Sequence, residues 1–258
     1  MYEAELAFAK KLAKKAGDIM LEYFSLDKQT HYKDDASPVT IADKKVNRLV
    51  IEELSKQFDY GIIGEEESTI EYGQENTVWI CDPIDGTRAF IYGAPSAMFS
   101  LGLVNKGVPV MGVAYDPFLN RMFYAVKGHG SYCNNIKLKV SKNGLRNHYV
   151  ALASDGEQLL RNAEIVEKIV ARGASTVCLE GAVYKSCLVA EGKFVGYFSD
   201  DPKTHDLAAT AIILEEAGGK ITAPDGSKLD FSKYFEGVLA TNGVVHEELL
   251  EIIKTTSA

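Results

Sequence analysis

Trp79-Ile80-Cys81-Asp82-Pro83-Ile84-Asp85-Gly86-Thr87 reads as an apolar strand that ends in two carboxylates and turns at a glycine into a helix start. The strand anchors Asp82 and Asp85, yet both project at its mouth. Two hard oxygen ligands held this close suit Mg²⁺, which prefers carboxylates and water and is commonly shared with substrate phosphates. The N–H groups of Gly86 and Thr87 follow at once, where an anion binds well. A cation site beside an anion site points to metal-assisted chemistry on a phosphate ester. Alone, the stretch is also satisfied by turn chemistry, since Asp-Pro and Asp-Gly are ordinary turn formers and Asp is a favoured cap. The rest of the chain has to decide.

Upstream, Ala9, Leu12, Ala13, Ala16, Met20 and Tyr23 recur every three or four residues and predict a helix over 3–24. A polar segment, 27–38, precedes a second helix from Thr40 with Ala42, Val46, Leu49, Val50 and Leu54 on its inner stripe. Thr40 and Asp43 are spaced as a capping box, with Asp in place of the usual Glu. Tyr60–Gly64 predicts a short strand that delivers Glu65 and Glu66. Downstream, strands at 99–104, 110–115 and 121–126 are separated by turn residues and predict an antiparallel meander, with a further strand at 136–140. The polar stretch 141–147 marks a boundary between an N-terminal α+β half, 1–143, carrying most metal ligands, and a C-terminal α/β half, 144–258. In the second half strands at 149–153, 175–178, 194–198, 221–222 and 238–241 alternate with helices at 157–171, 182–191, 205–217 and from about 244. That alternation predicts layered α/β architecture.

The chain has 258 residues, with 46% hydrophobic and 25% charged, which predicts a packed core rather than disorder. Its net charge of −8, from 28 basic and 36 acidic residues, argues against binding a nucleic-acid backbone. Four cysteines form no Cys-x-x-Cys pair, so neither a zinc nor a redox motif is supported. The start Met1-Tyr2-Glu3-Ala4-Glu5 is unlike a signal peptide, and no apolar run reaches the ~18 residues that span a membrane. A cytoplasmic protein with reduced thiols, acting on a small molecule and not on a membrane, is expected.

Glu65 after a strand and Asp206 at a helix start, in Thr204-His205-Asp206-Leu207-Ala208-Ala209, join the Asp82–Thr87 stretch. Together with Ser37–Asp43, Gly64-Glu65-Glu66, 128–139, Val189-Ala190-Glu191-Gly192 and Glu216-Ala217-Gly218-Gly219, they resemble the inositol monophosphatase superfamily over most of the chain. The resemblance implies an α/β fold of the layered α-β-α-β-α kind, an α+β sandwich, and a lithium-sensitive phosphomonoesterase using two or three Mg²⁺ ions. It implies a homodimer. It implies that Glu65, Asp82 and the Ile84 carbonyl hold one metal, and that Asp82, Asp85 and Asp206 hold a second. Thr87, helped by Asp43 and Glu65, would orient the attacking water; the N–H groups of Gly86 and Thr87 would hold the phosphate; Lys33 would stand near the entrance.

Two positions depart from the pattern. His205 stands where many members have Trp, and is expected to support the metal ligands from behind. Arg88-Ala89-Phe90 replaces the Thr-Asn-Phe common in inositol phosphatases and is more like histidinol-phosphate phosphatases, while 184–192 is similar to adenosine 3′,5′-bisphosphate phosphatases. Arg88 and Lys185 are candidates for an acidic substrate group. Asp200, Asp201 and Glu180 are loop candidates for a cationic one. Inositol 1-phosphate is the expected substrate, with histidinol phosphate and a 3′(2′),5′-bisphosphate nucleotide as alternatives. A non-catalytic binding protein is a remote one, since the acidic ligand set is complete. A metal-dependent sugar kinase or other phosphoryl transferase is disfavoured by the missing Gly-x-x-x-x-Gly-Lys-Ser/Thr.

Overall fold

A computed structural model describes residues 2–24, 30–32, 38–152 and 156–256. The N-terminal part runs α1 (Glu3–Phe24), a hairpin of β1 (Thr30–Tyr32) and β2 (Pro38–Thr40), then α2 (Ile41–Gln57). It continues with β3 (Gly61–Gly64), β4 (Thr77–Asp85), α3 (Thr87–Tyr92), β5 (Met98–Asn105), β6 (Val108–Asp116), β7 (Arg121–Val126), β8 (Ser131–Cys133) and β9 (Ile136–Lys137). There follow β10 (Tyr149–Leu152), α4 (Gly156–Arg161), α5 (Ala163–Ala171), β11 (Ser175–Cys178), α6 (Ala182–Ala190), β12 (Gly196–Lys203), α7 (Thr204–Glu216), β13 (Lys220–Thr222), β14 (Glu236–Thr241) and α8 (His246–Lys254).

Alternation of side chains along the strands sorts these elements into layers. In β4, Trp79 and Cys81 pack with Leu12, Met20, Val46 and Leu54 of α1 and α2. Val78 and Ile80 face the other way, among Leu207, Ala211 and Ile212 of α7 and Val183 of α6. The same inner layer receives Ala151, Tyr197, Val238 and Ala240 of the second sheet. Their neighbours Val150, Phe198 and Leu239 point outward onto Ile165, Ile169, Leu249 and Ile252 of α5 and α8. The order is therefore helix, sheet, helix, sheet, helix. The first sheet runs β3-β4-β5-β6-β7-β8-β9 and is antiparallel except for β3 beside β4. The second runs β11-β10-β12-β14-β13, with only the pairs about β10 parallel. Helix α7 seats directly on β5 and β6 because Gly102 and Gly112 oppose each other across the strands; a Cβ on Gly112 would lie 2.4 Å from the Ala209 carbonyl oxygen.

Several elements differ from the sequence reading. The strand expected at 136–140 stops at Lys137, because the Val140 N–H turns to the Ala217 carbonyl at the end of α7. The single helix expected over 157–171 is broken at Asn162, whose side-chain amide donates to the Gln158 carbonyl. The strand expected to end at Phe198 continues to Lys203, so Asp200 and Asp201 lie on β12 and not on a loop. Among the described residues no helix is long and apolar enough to cross a membrane.

His246, at the start of α8, is fully buried between two hydroxyls, with Thr222 Oγ1 at 3.2 Å from Nε2 and Thr241 Oγ1 at 3.0 Å from Nδ1. The Thr222 hydroxyl donates to the Ala223 carbonyl, so it accepts from Nε2–H and leaves Nδ1 to accept from Thr241. The neutral ring is satisfied, and burial pushes its pKa down from 6.5 to about 4. Between those values the unfolded chain binds the extra proton, so this contribution to stability is complete above pH 6.5 and is lost as pH falls towards 4. Urea midpoints should therefore drop more between pH 7 and pH 4.5 for the wild type than for His246→Gln. Parallel profiles would contradict the assignment.

Candidate active site

Asp82 and Asp85 are three residues apart, and on a regular strand such a pair faces opposite sides of the sheet. Here Asp82 pairs with Ser100 and Asp85 with Met98, so Pro83 and Ile84 together oppose the single Phe99. The extra residue is a β-bulge, which re-aims a side chain and accommodates a proline that has no N–H for the ladder. Both carboxylates now face one site. The Ile84 N–H donates to Asp82 Oδ1 at 3.0 Å and fixes the bulge.

Asp85 is gripped from the other half of the chain. Its Oδ1 accepts from the Ala182 N–H at 2.8 Å and its Oδ2 from the Val183 N–H at 2.9 Å. Both donors belong to the first turn of α6, whose free N–H groups are the natural partners of a carboxylate. The turn comes this close because Gly181 has φ +88; a Cβ there would lie 2.8 Å from Asp85 Oδ2. Glu65 follows β3 and is held by its N–H on the Cys81 carbonyl at 3.1 Å. Asp206 caps α7, with Oδ2 accepting from the Lys203 N–H at 2.7 Å and Oδ1 lying 3.3 Å from His205 Nε2.

Ligand atoms of Asp82, Asp85 and Asp206 lie within 4.8 Å of one another, as do those of Glu65, Asp82 and His205. Crowding so many acids under cover is costly unless something positive joins them. Burial, then repulsion from Glu65 and Asp206, pushes Asp82 well above the usual carboxylate range. Burial and Asp206 push Asp85 up to about 8, against the backbone donors and Lys185. Asp206 is raised as well, mainly by burial. The all-oxygen set of Asp82, Asp85 and Asp206, with its raised proton affinity, fits a hard divalent cation, which would replace the protons.

Thr87 follows Gly86, a left-handed residue at φ +83, and its hydroxyl lies 3.1 Å from the Ile84 carbonyl and 3.5 Å from Asp43 Oδ1. The expected capping box is present: Asp43 Oδ2 accepts from both the N–H and the hydroxyl of Thr40 at 2.7 and 2.6 Å. Only Oδ1 is left to face Thr87. Burial raises Asp43 to about 7, opposed by the Thr40 bonds and helped by Glu65 and Glu66.

A cavity of about 420 Å³ opens over the acids. Glu65, Asp82, Ile84, Asp85, Gly86, Thr87, Arg88, Lys185, His205 and Asp206 all line it. Asp43 stands behind Thr87, and Lys33 lies outside the described residues. Glu180 and Asp201 reach the wall, whereas Asp200 pairs with Arg161 at 3.4 Å. Lys185 is buried, donates to the Leu152 carbonyl at 3.3 Å and sits over the Tyr197 ring at 4.6 Å; burial lowers its pKa against the pull of Asp85. Glu157, Gly181, Ser199 and Lys203 also line the cavity and were not anticipated. Of these only Gly181 carried a sequence signal, standing just before the helix expected at 182.

The Inositol monophosphatase family matches the chain over residues 1–258. A fructose-1,6-bisphosphatase/inositol-1-monophosphatase of Thermotoga maritima is 31% identical over 96% of this chain and 95% of its own. A histidinol-phosphatase of Mycobacterium tuberculosis is 31% identical over 97% of this chain and 98% of its own. The solved structure of a Thermotoga maritima IMPase superposes with a TM-score of 0.90 at 27% identity, covering 98% of each chain. The chain therefore belongs to the inositol monophosphatase family of phosphatases.

Proposed function

We propose that this protein hydrolyses inositol 1-phosphate, a small phosphate monoester, with Mg²⁺ held by Glu65, Asp82, Asp85, Asp206 and the Ile84 carbonyl. The observation that carries this reading is the convergence of four carboxylates beside the Gly86–Thr87 backbone in one cavity. When bound, the ions would acidify a water and offset charge on the attacking and leaving oxygens. The chain's own groups do the rest. The N–H groups of Gly86 and Thr87 hold the phosphate oxygens. The Thr87 hydroxyl, steered by Asp43, and the Glu65 carboxylate orient the water for in-line attack on phosphorus. The P–O ester bond breaks, and the leaving alkoxide takes up the proton that the water has released. Arg88, exposed and on the cavity wall, would meet an acidic substituent.

Glu157, Glu180 and Asp201 on the cavity wall favour a second reading, in which the leaving group is cationic, as in histidinol phosphate. Phosphate release from inositol 1-phosphate, histidinol phosphate, adenosine 3′,5′-bisphosphate and fructose 1,6-bisphosphate, with Mg²⁺ and with a chelator, separates these. The expected result is Mg²⁺-dependent turnover with inositol 1-phosphate at least about tenfold ahead. A lead for histidinol phosphate selects the second reading, and release that ignores the chelator overturns the metal assignment.

A further inference from the structure

His205, expected to support the metal ligands from behind, also lies within reach of the same position as two of the carboxylates. It is buried, 9% exposed, and its ring offers a ligand atom within 4.8 Å of those of Glu65 and Asp82. Its Nε2 lies 3.3 Å from Asp206 Oδ1. Ligands about 2.1 Å from one octahedral ion stand roughly 3 Å apart when adjacent and roughly 4.2 Å apart when opposite. Ligand atoms of Glu65, Asp82 and His205 gathered within 4.8 Å leave room for one ion among them. A carboxylate-only site and a site with one imidazole also differ in preference. Mg²⁺ seeks oxygen, whereas imidazole favours later divalent ions along the series from Mn²⁺ to Cu²⁺.

We infer that the His205 imidazole is a direct ligand on the Glu65–Asp82 side of the acid cluster and tilts that position from Mg²⁺ towards Mn²⁺ and later transition-metal ions. The inference rests on the reading that the acid cluster holds divalent cations. The ring offers a nitrogen ligand where Glu65 and Asp82 offer only oxygen. It is therefore a spectroscopic label for its own role.

Metal-stripped protein saturated with Mn²⁺ should show nitrogen hyperfine coupling in electron spin echo spectra. The coupling should change when the histidines are labelled with nitrogen-15, and it should vanish in His205→Gln. Calorimetry should show Mn²⁺ affinity falling about tenfold or more in the variant, and Mg²⁺ affinity by much less. Mn²⁺ bound to the wild type without histidine coupling would overturn the inference while leaving the metal site standing. An unchanged ratio of Mn²⁺ to Mg²⁺ affinity in a folded variant would do the same. Should the variant not fold, the coupling in the labelled wild type still decides between ligation and its absence. Failure of the wild type to bind either ion would overturn the underlying metal reading, and this inference with it.

Discussion

Asp85→Asn is expected to lower turnover by at least about a hundredfold while leaving the metal-free fold nearly as stable as the wild type. The first effect follows from removing a charged oxygen that faces Asp82 and Asp206. The second follows from the state of that carboxyl without a cation. Burial and Asp206 push its pKa up to about 8, so at neutral pH the metal-free protein already keeps it largely protonated. An amide has nearly the same shape. Its oxygen can still accept from Ala182 or Val183, while the other backbone N–H faces the amide NH2 and loses its acceptor, at a cost of about 1–2 kcal/mol. Wild-type protein should gain thermal stability on adding Mg²⁺, through ligand binding to the native state, and the variant should gain little. Near-normal turnover with an undiminished Mg²⁺ response would remove Asp85 from the metal site.

Gly181→Ala should damage both stability and catalysis. Gly181 has φ +88 and ψ 113, a region almost closed to residues with a Cβ, and occupying it costs about 1–3 kcal/mol. The new methyl would also lie 2.8 Å from Asp85 Oδ2 and 3.1 Å from the Ser96 carbonyl oxygen. Relief requires either Asp85 to leave the acid cluster or the first turn of α6 to draw back, and turnover should fall about tenfold or more in either case. Gly144→Ala, where a Cβ meets nothing within 4 Å, is the matched control and should change neither property. Equal behaviour of the two variants in thermal melts and phosphate release would show that the α6 turn does not set the position of Asp85.

What could be read from the sequence was what is built locally. The stripe on α1, the Thr40–Asp43 cap and β7 depend on residues a few positions apart, and each is found where its pattern placed it. The five-layer order came from the resemblance, while alternation along the chain pointed only to layering in the second half. What was not legible depends on partners far along the chain. The grip of Ala182 and Val183 on Asp85 spans 97 and 98 residues. The bulge that turns Asp82 and Asp85 to one side shows only once β4 is in register with β5. Asn162 breaks a helix through a side-chain bond that competes with propensity. His205 was legible as a substitution, but its place beside Glu65 depends on how α7 meets the end of β3.

Glu65, Asp82, Asp85 and Asp206 are proposed to hold divalent cations together over a phosphate cradle. Anomalous X-ray diffraction from crystals of the protein grown with Mn²⁺ and inorganic phosphate tests this most directly. The account predicts an anomalous peak among Asp82, Asp85 and Asp206, a second beside Glu65 and Asp82, and phosphate density against the N–H groups of Gly86 and Thr87. Saturating Mn²⁺ with no anomalous peak among these four carboxylates would contradict it.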